Sequence, residues 1–89
     1  MLHASPTRQS LHSTEAKILS QRELQCLQRL ASGLANSGIA RSLGISEPTV
    51  AMHISNARRK LGASTRIQAV ALAVRHGLID PHRTFGLER

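Results

Sequence analysis

The 89-residue sequence contains almost no aromatic residues and a single cysteine. Phe85 is the one aromatic side chain, which argues against modules that stack RNA or single-stranded bases on aromatic rings. The lone Cys26 excludes an intramolecular disulfide and a thiolate zinc site. No apolar run approaches the roughly 20 residues of a membrane helix, and the first residues lack the apolar region of a secretory signal. We therefore expect a soluble cytoplasmic protein that does not contact a membrane.

Positive charge is what the sequence has in excess. Twelve Lys and Arg residues oppose five Asp and Glu, so the formal net charge is +7, which favours a polyanionic partner. The acids are too widely spaced to form the carboxylate pair of an acid–base catalyst. The histidines show neither an i, i+4 pair nor a cysteine partner for a metal site. We predict that the protein is not an enzyme and holds no cofactor or metal.

The chain divides into a polar arm at residues 1–18, a folded domain at 19–80 and a tail at 81–89. Four helical segments are predicted in the domain. Each of them is followed by a glycine, the residue favoured just after a helix C-terminus: Gly33, Gly44, Gly62 and Gly77. No segment alternates with the period of two that indicates a strand. The predicted fold is therefore all-α, with four helices.

The starts of these helices carry capping residues. Ser20 and Glu23 form a predicted capping box for the first helix, which extends to about Ser32, and Cys26 is expected off its core stripe and partly exposed. The three later helices have predicted caps of their own: Asn36, Ser46 and Ser64. The fourth helix is predicted from Thr65 to about residue 76.

The link between the second and third helices is so short that the two must cross steeply, as in a helix-turn-helix. The third helix has one apolar stripe for the core: Val50, Ile54, Ala57 and Leu61. Its opposite face carries Met52, Ser55 and Arg59, and the helix ends in three cations. Slender side chains followed by cations suit the major groove and phosphates of DNA, although cations in a last turn also complement the dipole of any helix.

The fourth helix is apolar on two sides. One side is predicted to close the core: Ile67, Val70, Ala71 and Val74. A domain this small cannot bury both sides, so we predict a homodimer through residues 65–76. The predicted dimer contacts are Ala69, Leu72, Ala73 and His76. Alanine tolerates exposure, so a solvent-exposed second side is the alternative.

Between Leu19 and Asp80 these residues together resemble the LuxR-type (NarL/GerE-type) helix-turn-helix DNA-binding domain. The similarity rests on fixed spacings: Leu19-Ser20-x-Arg22-Glu23-x-x-x-Leu27, Gly33-Leu34-x-Asn36, Ile39-Ala40-x-x-Leu43-Gly44-Ile45-Ser46, Thr49-Val50-x-x-His53, Lys60-Leu61-Gly62 and Arg66-x-Gln68-Ala69-Val70. Cys26 and the Asn56-Ala57 pair are most similar to the quorum-sensing branch. The resemblance implies a cytoplasmic, nucleoid-associated transcription regulator that binds double-stranded promoter operators as a dimer.

The resemblance also implies which residues contact DNA. Base contacts would come from Ala51, Met52 and Ser55, with Arg59 nearby. Phosphate contacts would come from Asn36, Ser46, Thr49, His53, Asn56 and Lys60. Relatives often carry longer side chains in place of Ala51 and Ser55, so we expect DNA shape or an inserted Met52 to carry more of the specificity. Capping or packing is an equal alternative for His53.

Other interpretations of the chain stay open. About 18 residues precede the first helix, too few for a sensory domain, so we expect a stand-alone regulator, a truncated paralogue or an excised fragment. An anti-activator that heterodimerises with full-length LuxR-type regulators is the alternative function, and RNA polymerase is a further candidate partner. Region four of sigma factors has a similar helix-turn-helix but lacks the fourth helix.

Overall fold

A computed structural model describes residues 19–83 of the chain. That range contains four helices and no strand: α1 Gln21–Ala31, α2 Asn36–Leu43, α3 Glu47–Leu61 and α4 Arg66–Arg75. The predicted all-α, four-helix fold is confirmed for these residues. The predicted arm at 1–18 and residues 84–89 of the predicted tail lie outside the described range.

Local hydrogen bonds determine where α1 and α3 begin. The Glu23 N–H donates to Ser20 Oγ at 3.0 Å, and the Ser20 N–H donates to Glu23 Oε1 at 2.8 Å. This is the predicted capping box, which satisfies two N–H groups that the first turn leaves without a helical partner. At α3, Ser46 Oγ accepts from the Thr49 N–H, also as predicted.

Two of the predicted caps are wrong by one residue. The helix α2 begins at Asn36 itself, and its preceding residue Ala35 makes no side-chain cap hydrogen bond. Asn36 Oδ1 instead accepts from Arg66. At α4 the cap is Thr65 rather than Ser64, because the Thr65 side chain accepts from the N–H three residues later. A Ser-Thr pair offers two equivalent caps, and spacing alone does not choose between them.

The turn between α2 and α3 depends on Gly44. Its φ of 70° and ψ of 34° lie in the left-handed region, where a residue with a Cβ would be strained. The N–H groups of Gly44 and Ile45 both donate to the carbonyl oxygen of Ala40, which closes the end of α2. This tight connection leads directly into the Ser46 cap and produces the predicted helix-turn-helix.

The helix α3 runs through two hydrophobic clusters. The helix-turn-helix cluster joins α1, α2 and the first half of α3: Cys26, Ile39, Ala40, Val50 and Ile54. The α4 cluster joins α1, the second half of α3, α4 and the segment after it: Leu19, Leu27, Ala57, Ala63, Ala69, Ala73 and Ile79. The predicted core stripe of α3 is confirmed. The predicted partial exposure of Cys26 is wrong, because α2 and α3 cover it completely, and this burial raises the pKa of its thiol.

The predicted core side of α4 is only partly right: Val70 and Val74 are half-buried against the α4 cluster, but the completely buried residues lie on the other apolar side. Ala69 and Ala73 are completely buried, whereas Ile67 is 79% exposed and Ala71 is exposed. Two alanines four residues apart form a shallow stripe that lets α4 approach its neighbours closely, which a stripe of Ile and Val would prevent. Ala69 and Ala73 therefore cannot be the predicted dimer contacts.

The other two predicted dimer contacts have different surroundings. Leu72 is half-buried and packs against the α4 cluster, so it also belongs mainly to the subunit interior. His76 is exposed just after the end of α4. None of the helices in residues 19–83 is long and apolar enough to cross a membrane.

Candidate nucleic-acid interface

The outer side of α3 carries the residues predicted to reach DNA bases. Met52 is 49% exposed, Ala51 and Arg59 are exposed, and Ser55 is half-buried. Val50, Ile54 and Ala57 are buried on the opposite side of the same helix. We call the outer side the α3 face, defined by four residues: Ala51, Met52, Ser55 and Arg59. The α3 face is free of acidic side chains and lies outside the subunit core.

The three cations at the end of α3 have different surroundings. The Arg59 Nη2 donates to Asn56 Oδ1 at 2.6 Å, and Arg59 is exposed. The half-buried Arg58 donates from Nη1 to the carbonyl oxygen of Ala63 at 3.1 Å. The half-buried Lys60 pairs with Glu23 of α1. Of the three, Arg59 is therefore the cation that the α3 face presents to solvent.

Glu23 and Lys60 form an ion pair at the edge of α3 that faces α1. Lys60 Nζ lies 3.0 Å from Glu23 Oε1 and 3.2 Å from Oε2. Burial raises the pKa of the Glu23 carboxyl, but the hydrogen bonds from the Ser20 N–H and Lys60, together with the charges of Lys60 and His53, outweigh that effect. The pKa of Glu23 therefore lies below its ordinary value, and the carboxylate is ionised at neutral pH.

The start of α3 offers polar groups suited to a phosphate. Ser46 Oγ and Thr49 Oγ1 are 2.8 Å apart, and Ser46 is exposed. The first-turn N–H groups of a helix point outward at the positive end of its dipole, where an anion is stabilised. His53 and Asn56 follow Thr49 along the same side of α3, and both are half-buried.

The groove beside α3 adds two cations that the sequence-based site prediction did not include, Arg58 of α3 and Arg66 at the start of α4. A groove between the helices is lined by Ala51, Ser55 and Arg58 of α3 and by residues 64–66. The exposed Arg66 donates from Nη2 to Asn36 Oδ1 at 2.7 Å, so the starts of α2 and α4 adjoin at this edge. The signal in the sequence was Arg66 in a first turn without an acid, where a cation opposes the helix dipole.

The α3 face is bordered by polar residues on two sides. Asn36 and Arg66 border the α3 face on the α4 side, and Thr49, His53 and Asn56 border it on the other. Lys60 is set apart from the rest by its ion pair with α1. Within residues 19–83, no three His, Cys, Asp or Glu side chains are grouped as metal ligands.

Comparison with known families adds to this geometry. Residues 17–73 match the family model described as bacterial regulatory proteins, luxR family, and that span is more than half of the chain. The chain belongs to the LuxR family. The family resemblance inferred from the spacings is thereby confirmed.

Two relatives named as transcription regulators match most of this chain. YxjL of Bacillus subtilis (strain 168), an uncharacterized transcriptional regulatory protein, is 41% identical over 74 residues, which are 82% of this chain and 34% of YxjL. The transcriptional activator VanR of Vibrio anguillarum is 41% identical over 76 residues, which are 85% of this chain and 32% of VanR. The chain thus spans about a third of the length of these relatives.

Two solved structures share the arrangement of helices. The transcription factor GerE is 40% identical with a TM-score of 0.68, and the match covers 71% of this chain and 94% of GerE. The VqmA dimer of Vibrio cholerae, solved in the absence of target DNA, is 35% identical with a TM-score of 0.65. That match covers 72% of this chain and 29% of VqmA. At these identities the helix-turn-helix architecture is shared, and the all-α fold is confirmed.

Proposed function

We propose that this LuxR-family chain binds double-stranded DNA at promoter operators and regulates transcription, with α3 in the major groove. The observation that carries the proposal is the α3 face, an exposed surface without acids that includes the exposed cation Arg59. The names of YxjL and VanR as transcriptional regulators support the regulatory role. Such a protein would act in the cytoplasm, at the nucleoid.

The dimensions of α3 suit this mode of binding. Its 15 residues span about 22 Å, and the B-DNA major groove is about 12 Å wide, so the helix can lie along the groove. Met52 and Ser55 would face base edges, where the thioether contacts a thymine methyl group and the hydroxyl accepts or donates. Ala51 leaves space at the groove floor, so sequence-dependent DNA shape contributes more of the specificity.

The borders of the α3 face would hold the phosphates of the two strands. On one side these are Ser46, Thr49, His53 and Asn56, and on the other they are Asn36 and Arg66. Contacts of this kind fix the orientation of a helix in the groove without reading sequence. Arg59 would reach a phosphate at the end of the helix.

We also propose that two copies pair through the outward stripe of α4. This stripe centres on the exposed Ile67 and Ala71. It is flanked by Val70 and Val74, which are half-buried and also pack against the α4 cluster, and the exposed His76 lies just beyond the end of the helix. An isolated aliphatic stripe on a small domain is best covered by an identical stripe about a two-fold axis. The dimeric state of VqmA supports this arrangement.

Binding to DNA can be tested by titration at several salt concentrations, with a duplex that the wild-type protein selects from a randomised library. Each phosphate neutralised by a cation adds about −0.9 to the slope of log K against log salt concentration. We expect a steep slope for the wild type and a slope shallower by about 0.9 for Arg59→Gln. Binding that does not depend on salt would contradict the proposal.

A matched control is the exposed Arg75, which lies about 14 Å along α4 from Arg66. Arg75→Gln removes the same charge as Arg59→Gln but lies away from the α3 face. Its slope is expected to equal that of the wild type once light scattering has established that its mass is also that of the wild type. If the chain instead fails to bind duplex and copurifies with a longer relative, the anti-activator alternative is favoured.

A further inference from the structure

Lys60 has a different chemical environment from the other cations near the α3 face. Its Nζ contacts both oxygens of Glu23, and the two side chains are 33% and 5% exposed, respectively. The partners are 37 residues apart in sequence, so the ion pair joins the last turn of α3 to the first turn of α1. It is a tertiary contact between two helices.

Glu23, the acid of this ion pair, is also held by the capping box of α1. Glu23 Oε1 accepts from the Ser20 N–H at 2.8 Å as part of the capping box, and the same oxygen accepts from Lys60. The carboxylate therefore cannot follow Lys60 toward a bound duplex without opening the start of α1. If Lys60 moved alone, it would leave a nearly buried carboxylate without its cation, which is strongly unfavourable.

The position of Lys60 on α3 agrees with its contact to α1. His53 precedes it by seven residues, which is two helical turns, so both lie on the edge of α3 that faces α1. On the opposite edge, Arg58 is bonded to the Ala63 carbonyl just beyond α3. Polar contacts on both edges thus hold the end of α3.

We propose that Glu23 and Lys60 are positioning residues, whose ion pair sets the orientation of α3 for DNA and keeps Lys60 from serving as a phosphate contact. This rests on the proposed DNA-binding function. It replaces the phosphate role that the family resemblance implies for Lys60. The two roles differ in a measurable quantity, because a phosphate contact releases counterions and a positioning contact does not.

Lys60→Met tests the cation of the pair. It keeps the aliphatic stem and removes the charge, so we expect about tenfold weaker binding to the selected duplex. The salt slope is expected to stay at the wild-type value. Arg59→Gln, measured in parallel, should lower the slope by about 0.9. A loss of about 0.9 in the slope of Lys60→Met would overturn the positioning role.

Glu23→Gln tests the acid and gives opposite expectations for the two roles. Gln at this position still accepts from the Ser20 N–H, so the capping box is retained while the ion pair is lost. If Lys60 were a phosphate contact, its release and the removal of a negative charge would tighten binding and steepen the slope. A positioning role predicts about tenfold weaker binding with an unchanged slope. Tighter binding would therefore overturn the proposal.

Two further variants serve as controls. Glu47→Gln removes an exposed acid at the start of α3 and is expected to bind as tightly as the wild type or more tightly. Lys60→Arg keeps a cation for Glu23 and is expected to restore binding, and failure to restore it would contradict the ion-pair role. Circular dichroism establishes that each variant is folded at the temperature of the titration. Absence of wild-type binding would refute the proposed function itself, whereas a changed slope in Lys60→Met refutes only the positioning role.

Discussion

The two hydrophobic clusters on α3 are built from different side chains. The helix-turn-helix cluster contains three β-branched residues, Ile39, Val50 and Ile54, each at most 4% exposed. The α4 cluster is dominated by four alanines: Ala57, Ala63, Ala69 and Ala73. Branched side chains fill volume between helices, whereas alanines let helix backbones approach each other. The first half of α3 is thus stabilised by large buried side chains, and its second half by close packing of the helix backbones.

This difference determines what stabilises each part of the domain. Burial of Ile and Val removes more apolar area from water than burial of Ala, so the helix-turn-helix gains more from the hydrophobic effect per residue. The α4 end is supplemented by polar contacts between Gln28 of α1 and the backbone of Asp80. Gln28 Nε2 donates to the Asp80 carbonyl oxygen at 2.6 Å, and the Asp80 N–H donates to Gln28 Oε1 at 2.9 Å. These bonds tie the segment after α4 to α1.

The largest change in the free energy of unfolding is expected from a cavity in the helix-turn-helix cluster. Ile39→Ala removes buried methyl and methylene groups from a completely buried side chain, so we expect a loss of about 2 to 5 kcal/mol in the free energy of unfolding. Urea unfolding followed by circular dichroism measures it. A loss below about 1 kcal/mol would contradict the view that this cluster depends on filled volume.

The α4 cluster should respond most to added volume. Ala73→Leu inserts a branched side chain where α4 packs closely, and we expect a loss of about 1 to 3 kcal/mol in the free energy of unfolding. Ala51→Leu makes the same change at an exposed position of α3 and should stay within about 0.5 kcal/mol of the wild type. Equal unfolding free energies for the two variants would show that the packing around Ala73 accommodates a larger side chain.

The same contrast explains which features of the fold could be predicted from sequence. The capping box at Ser20 and the turn at Gly44 depend on neighbouring residues, so local patterns were sufficient. The buried stripe of α3 was also predictable, because its other side is polar. The buried side of α4 was not, since both sides are apolar and alanine fits either environment. Hydrophobic periodicity locates a helix but does not orient one with two apolar sides.

The candidate site shows a similar division. Exposure of Met52 and Arg59 follows from the spacing of α3 alone. The partner of Lys60 lies 37 residues away in α1, so only the tertiary arrangement reveals that its charge is already paired. Likewise, Arg66 reaches Asn36 across 30 residues, and no local pattern brings the starts of α2 and α4 together. Contacts within one helix were predictable, whereas contacts between helices required the fold.

Loss of the ion pair that joins α1 to α3 is expected to lower the free energy of unfolding by a smaller amount. The lowered pKa of Glu23 means that its carboxylate stabilises the fold above the ordinary glutamate pKa of about 4.3, and this contribution is lost as pH falls through the lower folded-state pKa. We expect Glu23→Gln to reduce the free energy of unfolding at pH 7 by about 1 to 2 kcal/mol. Urea unfolding across acidic pH should show the difference from the wild type shrinking. A difference that stays constant with pH would assign the loss to packing.

The smallest effect on stability is expected on the outer side of α4, where the largest effect on assembly is expected. Ile67 is 79% exposed, so Ile67→Glu should change the free energy of unfolding of the monomer by less than about 0.5 kcal/mol. Two glutamates facing each other in a desolvated contact repel, so the dimer should dissociate, which light scattering would detect as a halved mass. Gln68→Glu adds the same charge at an exposed neighbour outside the stripe and should leave the mass unchanged. An unaltered mass for Ile67→Glu would exclude this stripe as the dimer contact and leave its aliphatic side chains as tolerated exposure on the outer side of α4.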